Sequence, residues 1–333
     1  MAQTTREVLR LLLVLVWSGV GIALIGIIQY AGHFVFYNRA SIAHVEALGR
    51  GFRVNSLFWD PNMFSRFLIV VLLFCAALAA AVPAWRRRLA AAALVVAVAN
   101  AFTLSRSGWA GLAAGLILFV YLWLGRRRGT LAAAGLAVLF VAVFGVLVVV
   151  RKTPLTHPHI FDYAWGIDHL TGGRYYLATA GLEMFRDHPL RGIGLGGFPL
   201  AYASYRDRHA SPDLRESHTT PLTVIAEEGV PGAAAYLALL ATYFVGVLGS
   251  GRRGQAAAGP PGGNEARAGP PGGAARREQG PDGLRRLQLV RAGLAAAVLA
   301  TLVHSLVYNA WFEDPYVWVL LALSAAAASP TGE

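Results

Sequence analysis

The sequence predicts an all-α, polytopic membrane protein with about eight transmembrane helices, and three observations support this class. Of the 333 residues, 56% are hydrophobic and only 14% are charged, and the mean hydropathy is +0.51; a soluble domain of this length does not reach such values. Apolar stretches of the length that crosses a bilayer recur along the chain. Arginine clusters flank these stretches at alternate ends, as the positive-inside rule requires.

Eight apolar stretches mark the predicted spans. A helix needs about 17 to 25 residues to cross the hydrocarbon core, which most of the stretches reach. The first is interpreted as a retained span, because no small-residue cleavage pattern of a signal peptide follows it. In chain order the stretches are Leu11–Ile28, Phe64–Val82, Leu89–Leu104, Trp109–Leu124, Leu131–Val150, Gly232–Leu248, Leu287–Val307 and Tyr316–Ala328.

The positions of the basic residues predict the topology. A net charge of +11 would suggest nucleic acid in a soluble protein, but here the charges punctuate apolar spans, so we expect no nucleic-acid partner. The positive-inside rule places Arg86–Arg88, Arg126–Arg128 and the stretch Arg252–Arg286 in the cytoplasm. The residues between the two triplets would make one helix of about 55 Å, too long for a single span. These residues are instead predicted to cross the membrane twice, with a tight outer turn at Thr103–Gly108 between the two helices.

The same reasoning divides the chain into five regions. The region before the C-terminal helices contains Gly-Pro-Pro-Gly-Gly twice, a composition that cannot bury enough apolar surface to order itself. The regions are N-terminal transmembrane helices (1–150), a large extracytoplasmic loop with a short helix at Gly173–Asp187 (151–220), a half-helix with a transmembrane helix (221–249), a disordered cytoplasmic linker (250–286) and C-terminal transmembrane helices (287–333).

Two arginines are candidates for binding an anion. Arg106 lies in the tight turn, near the membrane surface, where a cation is costly without a partner. It could reach headgroups, pair with a carboxylate such as Asp60, or bind a lipid-linked phosphate, since guanidinium contacts phosphate oxygens in bidentate fashion. Arg174 would begin the predicted loop helix, where free backbone N–H groups favour an anion, although a solvated first-turn arginine has the same pattern.

His218 and Glu227 lie at the two ends of a short apolar segment. Thr219 or Thr220 followed by Pro221 is typical of a helix start, which places His218 at the mouth of a helix that enters the bilayer. A neutral imidazole there could accept a proton from a hydroxyl, or it is simply a polar surface group. Glu227 interrupts an apolar run and could pair with an outer arginine, orient His218 or serve only the structure.

Two patterns typical of cofactor sites do not hold. The glycine-rich run 192–197 looks like a dinucleotide fingerprint, but it follows a helix and lies outside the cytoplasm. A compact loop is the favoured interpretation, and a turn whose amides face a phosphate stays open. The single cysteine, Cys75, lies within an apolar stretch, and no His/Cys cluster or Asp-x-Asp motif occurs in the outer segments. We therefore expect no metal ion and no cofactor.

Four outer motifs carry a family resemblance. They are Phe58-Trp59-Asp60-Pro61-Asn62, Thr103-Leu104-Ser105-Arg106-Ser107, Gly173-Arg174 with Pro189-Leu190-Arg191-Gly192-Ile193-Gly194-Leu195-Gly196, and Ser217-His218 with Glu227-Glu228-Gly229-Val230-Pro231-Gly232. In this order the motifs resemble those of the O-antigen ligase/polymerase superfamily, the Wzy/WaaL-like membrane glycosyltransferases of bacterial surface polysaccharides. The residue after the histidine is usually Asn in that family and is Thr219 here, and fewer helices precede the motifs than is common, which predicts a truncated or minimal member.

The resemblance implies a GT-C-like enzyme of the cytoplasmic membrane whose active side is extracytoplasmic. It would transfer a glycan from undecaprenyl diphosphate to a hydroxyl of a glycan or lipid acceptor, without a metal ion. Arg106, Arg174 and Arg191 would bind the diphosphate, His218 would accept the proton and Glu227 would support the site. The expected partners are membrane lipids and, functionally, a flippase that presents the donor on the outer leaflet.

Three other functions stay open. A polymerase of the same family uses the same donor with another acceptor. A transporter or flippase for an anionic lipid would use the same arginines, but the spans contain almost no charges and show no pair of broken helices in repeated halves. A serine protease would use Ser105 or Ser107 with His218, yet no glycine-framed nucleophile motif surrounds either serine.

Overall fold

A computed structural model describes residues 2–47, 51–150, 174–206, 217–257, 281–309, 311–312 and 314–328. Within these ranges the chain is helical and forms no strand. The α-helices are α1 (Ala2–Gly32), α2 (Arg39–Val45), α3 (Pro61–Ala81), α4 (Arg86–Phe102), α5 (Arg106–Leu124), α6 (Arg126–Val150), α7 (Arg174–Asp187), α8 (Phe198–Tyr205), α9 (Thr220–Ala257), α10 (Pro281–Ser305) and α11 (Pro315–Ala328).

Each of the eight predicted spans overlaps one of these helices. Within the described residues, five helices are long and apolar enough to cross a membrane, and a shorter apolar helix covers Pro315–Ala327. The prediction of an all-helical, multi-pass membrane protein is therefore confirmed, while the count of about eight spans and the GT-C-like arrangement stay predictions. The five are Glu7–Gly32, Pro61–Ala81, Arg106–Leu124, Thr220–Gly246 and Gly283–Ser305.

The chain divides into two compact units, and unit 1 comprises Met1–Ala134, Tyr243–His304 and Pro315–Glu333. Helix α3 is central to this unit because it packs against α1, α4 and α5. Phe64, Leu68, Leu73 and Phe74 on α3 have no exposed surface. The apolar run that predicts the second span therefore forms the core of unit 1.

Helices α5 and α10 of unit 1 approach closely at two glycines. A Cβ on Gly111 would lie 2.6 Å from the carbonyl oxygen of Ala300, and one on Gly115 would lie 2.9 Å from that of Ala296. Glycines four residues apart are a known way for membrane helices to bring their backbones together. Side chains at either position would push α5 and α10 apart.

The turn between α4 and α5 lies where the sequence predicts it. Helix α4 ends at Phe102 and α5 begins at Arg106. Leu104 has a φ of 51°, in the left-handed region that few non-glycine residues adopt. The reversal takes only three residues, so the first turn of α5 is closely tied to the end of α4.

Unit 2 comprises Gly135–Thr242 and Ser305–Asp314. Helix α7 begins at Arg174, one residue after the start predicted for the loop helix, and it packs against α8. The buried face of α7 includes Leu177, whereas its neighbour Tyr176 is only half-buried. The core residues of the unit are Leu177, Ala180, Met184, Phe198, Tyr202 and Ala226.

Two of the predicted regions fall partly outside the described residues. Helix α9 continues to Ala257 and α10 begins at Pro281, so helices occupy both ends of the linker predicted at 250–286. Residues 258–280 of that linker lie outside the described ranges, as do residues 151–173 and 207–216 of the predicted loop.

Candidate active site

Arg106 is the first residue of α5, and its side chain is exposed. Asp60, the carboxylate suggested as its partner, instead accepts a 2.6 Å hydrogen bond from the backbone N–H of Asn62 and caps α3. Within the described part of the chain, no hydrogen bond or ion pair engages the Arg106 side chain. The guanidinium is therefore available to an external anion, and the alternative of pairing with Asp60 is wrong.

The turn that carries Arg106 is held by hydrogen bonds on both sides of this residue. Ser105 caps α5, because its hydroxyl accepts from the backbone N–H of Gly108 at 3.2 Å. Arg53 donates through Nε to the carbonyl oxygen of Thr103 at 2.8 Å. The conformation around Arg106 is thus fixed by neighbours rather than by its own side chain.

A chain of hydrogen bonds connects Arg53 to His304 through Asn62, Ser105 and Ser107. The Oδ1 atom of Asn62 accepts from Arg53 Nη2 at 3.0 Å and from Ser105 Oγ at 2.9 Å. The hydroxyl of Ser107 lies 3.2 Å from Ser105 Oγ and 3.2 Å from His304 Nε2. All five side chains belong to unit 1.

The direction of every bond in this chain follows from the number of protons available. Arg53 can only donate, so Asn62 presents its oxygen and Ser105 must donate to that oxygen as well. Ser105 has one hydroxyl proton, so Ser107 donates to Ser105, and His304 Nε2 must carry the proton that it donates to Ser107. The hydrogen-bond chain therefore requires a proton on Nε2 of His304.

Sequence reasoning did not single out His304, although a usable signal was present. His304 has no exposed surface and lies within the apolar stretch that predicts the seventh span. A titratable residue in an apolar span is costly and suggests a role, which is the same rule that drew attention to Glu227. The histidine bonded to Ser107 is therefore His304, a pairing that the sequence did not suggest.

His218 lies just before α9, which begins at Thr220 as predicted. Its side chain is half-buried, its φ is 54°, and its ring centroid lies 6.4 Å from that of Tyr308. The hydroxyl of Ser217 accepts from the backbone N–H of Thr219 at 3.2 Å across His218. The uncommon left-handed backbone of His218 is therefore stabilised by a local turn.

Two threonines tie the start of α9 to the segment 306–309 of the same unit. Thr219 donates its hydroxyl to the carbonyl oxygen of Leu306 at 3.1 Å, and Thr220 donates to Asn309 Oδ1 at 3.0 Å. Thr219 stands where the family usually has Asn. Its hydroxyl makes a contact to a backbone carbonyl that an amide N–H could also make.

Helix α9 is kinked at Gly229, which has a φ of 65° and a ψ of −157°. Only glycine adopts this backbone region readily, and a Cβ there would lie 2.6 Å from the carbonyl oxygen of Pro189. Pro231 has no N–H to donate, and the N–H of Val230 donates to the carbonyl oxygen of Pro189 at 2.8 Å. The predicted break at this Gly/Pro segment is confirmed.

The kink frees two helical carbonyl groups, and the glycine-rich turn 192–197 satisfies both. In a continuous helix the carbonyls of Ala226 and Glu227 would accept from the residues four positions on. Here Ile193 donates its N–H to the oxygen of Ala226 at 2.9 Å, and Gly194 donates to that of Glu227 at 3.0 Å. The turn and the kink therefore complete each other's backbone hydrogen bonding.

The carboxylate of Glu227 binds the same turn. Its Oε2 atom accepts from the N–H of Gly196 at 2.9 Å and its Oε1 atom from that of Phe198 at 3.0 Å, and the residue is only 8% exposed. Among the described residues, these oxygens bond to backbone amides and not to an arginine or to His218. The amides of the turn do face an anion, but that anion is Glu227 itself, whose part in catalysis stays a prediction.

Arg191 and Arg174 both belong to unit 2. Arg191 is exposed and directly precedes Gly192, where a Cβ would lie 2.2 Å from the carbonyl carbon of Glu227. The backbone that carries Arg191 is therefore held against α9. Arg174 is half-buried at the start of α7, and the two glycines that precede it lie outside the described residues. Both arginines stay predicted ligands of the diphosphate.

A cavity of about 610 Å³ lies within unit 2, beside the start of α9. Residues 195–199, the face of α9 that includes Glu228, and residues 309–312 contribute to its wall. Ser217, the neighbour of His218, also lines it. The cavity therefore reaches the residue before the predicted base.

These features define a multi-pass helical membrane protein with exposed arginines at two polar turns and a cavity next to a histidine. Residues 91–237 match the family model described as O-antigen ligase, which confirms the resemblance drawn from the motifs. No curated protein matches the chain. In the described residues, no group of three or more His, Cys, Asp or Glu side chains is placed to hold a metal ion.

Proposed function

We propose that the chain is an O-antigen ligase-like glycosyltransferase. It would move a glycan from undecaprenyl diphosphate to an acceptor hydroxyl on the outer side of the cytoplasmic membrane, in the assembly of surface polysaccharide. The observation that carries the proposal is the family match over residues 91–237, because all five predicted site residues lie within it. They are Arg106, Arg174, Arg191, His218 and Glu227.

The three arginines would bind the diphosphate of the donor. Guanidinium groups hold phosphate oxygens through paired, charge-assisted hydrogen bonds. As the bond between the anomeric carbon and the diphosphate oxygen breaks, negative charge grows on that oxygen, and a fixed cation lowers the free energy of this transition state. The exposure of Arg106 and Arg191 supports this role, because each guanidinium is accessible on the unit that carries it.

His218 would act as the general base. The acceptor hydroxyl attacks the anomeric carbon, a new carbon–oxygen bond forms, and the hydroxyl proton passes to the imidazole. Undecaprenyl diphosphate leaves with the electron pair of the broken bond. The imidazole must be neutral to accept this proton.

In this proposal Glu227 is a positioning residue. Its carboxylate fixes the amides of Gly196 and Phe198, and so it holds the turn that follows Arg191. It would act on catalysis by keeping that turn in place and not by moving a proton.

The test is a transfer assay with the purified full-length chain in proteoliposomes. The donor is a lipid diphosphate-linked glycan, the acceptor is a lipid-linked oligosaccharide, and each reaction is run with and without a chelator. The site variants are Arg106→Ala, Arg174→Ala and His218→Ala. Arg186→Ala and His44→Ala are matched controls, because Arg186 lies exposed on the same helix as Arg174 and His44 is exposed on α2.

We expect transfer by the wild type to resist chelation, and each site variant to lose about a hundredfold or more in rate. Both controls should retain the wild-type rate. Addition of one glycan to the acceptor identifies a ligase, whereas elongation of the donor-linked glycan identifies a polymerase. If labelled lipid crosses the bilayer and no donor gives transfer, the chain is a transporter and the proposal fails.

A further inference from the structure

The wall of the 610 Å³ cavity in unit 2 combines an aromatic face with a few polar groups. Phe198, Tyr236, Trp311 and Phe312 line it. Phe198, Tyr236 and Trp311 are buried, so Phe312 is the ring most accessible to a ligand, and its ring meets that of Tyr236 edge to face with centroids 5.7 Å apart. The volume is in the range of sites that bind small molecules, and such sites pair aromatic walls with a small number of convergent polar groups.

Two polar groups of the wall have unused hydrogen-bonding capacity. Glu228 lines the cavity, and in the described residues no hydrogen bond or ion pair engages its carboxylate. The Oδ1 atom of Asn309 accepts from Thr220, while its Nδ2 donates to none of the described residues. The cavity therefore offers carboxylate acceptors and amide donors to a ligand.

The carboxylates of Glu227 and Glu228 differ in their hydrogen-bond partners, and this difference determines which ligand charge the cavity accepts. Glu227 is compensated by the two backbone amides of the glycine-rich turn. Glu228 has no such compensation, so it would repel a phosphate group that entered the cavity. A hydroxyl group, in contrast, can donate to this carboxylate in a charge-assisted hydrogen bond.

A sugar ring has the features that this wall requires. One face of a pyranose carries C–H groups that pack against the negative face of an aromatic ring. Its hydroxyls can donate to Glu228 and accept from Asn309 at the same time. A lipid tail would leave the carboxylate desolvated without a partner, which is costly.

We infer that the cavity beside His218 binds a neutral sugar ring and is the acceptor subsite of the transfer reaction. The assignment to the acceptor rests on the proposed function, whereas the binding of a neutral sugar does not. Ser217 and Thr220, on either side of His218 and Thr219 in the chain, line the cavity, and the acceptor assignment requires the imidazole to reach a hydroxyl of the ring bound there. The diphosphate of the donor is excluded from this space by Glu228.

Binding is tested first, without any transfer. The probes are the methyl glycosides of glucose, galactose and N-acetylglucosamine, with glucose 6-phosphate as the anionic counterpart, each titrated at millimolar concentration. The full-length chain in nanodiscs is observed by saturation-transfer NMR. The variants are Glu228→Gln, which keeps the shape of the side chain, and Phe312→Leu, which keeps its apolar character but removes the aromatic face.

Matched controls lie outside the cavity. Glu183→Gln changes an exposed glutamate of α7, and Phe34→Leu changes a phenylalanine that is 37% exposed, against 38% for Phe312. We expect at least one neutral glycoside to bind the wild type. Its Kd should rise about tenfold in Glu228→Gln, because a hydrogen bond to a charged group is lost, and about fivefold in Phe312→Leu. The controls should bind as the wild type does.

The same variants then enter the transfer assay. We expect Glu228→Gln to raise the KM for the acceptor about tenfold and to leave the KM for the donor unchanged. If the two cavity variants weaken sugar binding as expected but the wild type transfers no glycan, the proposed function is rejected and the cavity is kept as a sugar site. An unchanged acceptor KM in a chain that transfers glycan would overturn the acceptor assignment.

Three results would overturn the sugar site itself. They are no glycoside binding to the wild type, equal binding by the wild type and both variants, and binding of glucose 6-phosphate as tight as that of the neutral glycosides. The last result would mean that the cavity selects anions despite Glu228.

Discussion

The turn 103–107 of unit 1 contains an exposed arginine and the turn 192–197 of unit 2 directly follows one, yet the two turns are stabilised in different ways. Around Arg106, side chains add to the backbone bonds of the turn, and they include two serine hydroxyls, an amide and an imidazole. Next to Arg191 the bonds come mostly from backbone N–H and carbonyl groups, and among the described residues Glu227 alone contributes a side chain.

This difference determines which substitutions each turn tolerates. A network of side chains depends on residue identity, and an isosteric replacement can preserve part of it. A close approach of two backbones depends on the absence of a Cβ, so any side chain at the contact disrupts it. We therefore expect the turn 192–197 to be damaged most by changes at glycine and the turn 103–107 by changes at hydroxyl and amide groups.

The largest effect should follow from Gly229→Ala. The new Cβ would meet the carbonyl oxygen of Pro189 in a backbone conformation that alanine rarely adopts. We expect the free energy of unfolding to fall by about 3 kcal/mol or more, measured by denaturation in detergent. Gly246→Ala on the same helix is the control, since a Cβ there meets no atom within 4 Å. Equal stability of the two variants would contradict the backbone account of the kink.

A smaller loss should follow from Glu227→Ala, which removes the acceptor of two amides. The buried N–H of Phe198 loses its partner, at a cost of about 1 to 3 kcal/mol. Hydrogen exchange at Gly196 and Phe198 should accelerate, while that at Ile193 should change less because Ile193 bonds to a carbonyl. Glu227→Gln retains one acceptor oxygen and should lie between the wild type and the alanine variant. Unchanged exchange in Glu227→Ala would mean that the carboxylate does not hold the turn.

In unit 1, Ser107→Ala should lower the free energy of unfolding by about 1 to 2 kcal/mol, because it separates His304 from the hydrogen-bond chain. Ser41→Ala is the control, since Ser41 is exposed on α2. Nitrogen-15 NMR of labelled histidine should show the Nε2–H tautomer for His304 in the wild type. Detection of the Nδ1–H tautomer alone would reverse the direction deduced for the chain.

The smallest effect concerns Tyr205 of unit 2, whose phenol donates a hydrogen bond to the carboxylate of Asp187. The hydrogen bond to Asp187 raises the pKa of Tyr205 above its ordinary value of 10.0, and burial and the charges of Asp187 and Glu183 add to the rise. The protonated phenol is therefore favoured in the folded chain. Its contribution to stability is fully present below pH 10 and is lost as the pH rises through the higher folded pKa.

Asp187→Asn should return the pKa of Tyr205 towards its ordinary value. The measurement is a spectrophotometric pH titration of tyrosinate absorbance, with Tyr205→Phe subtracted to isolate this residue. Glu183→Gln should change the pKa less, because its charge acts without a hydrogen bond. A titration midpoint that does not differ between the wild type and Asp187→Asn would contradict the assignment.

Local patterns in the sequence predicted much of the fold. The Thr-x-Ser-Arg turn between two short apolar stretches, the helix that begins at Arg174 and the break at Gly229–Gly232 were all readable from residue order. Each depends on neighbours a few residues apart, through capping, periodicity and the missing N–H of proline. Features that depend on residues so close in the chain are the ones that a sequence pattern predicts best.

The contacts that complete the two turns could not be predicted in the same way. Ser107 and His304 are 197 residues apart, and Gly196 and Glu227 are 31 apart. Nothing in local order states which distant partner satisfies a buried polar group. The need for a partner was readable, however, because Pro231 removes the donor for the carbonyl of Glu227 and His304 interrupts an apolar span.

The backbone bonds between the glycine-rich turn and the kink of α9 also constrain how this protein can be recombined with its relatives. Segments 189–197 and 226–232 each lack internal partners for groups that the other satisfies. A chimera that takes one segment from a relative and keeps the other would inherit a mismatched pair, whereas an exchange of residues 189–232 as one block would keep the pair intact. The two segments should therefore be exchanged together or not at all.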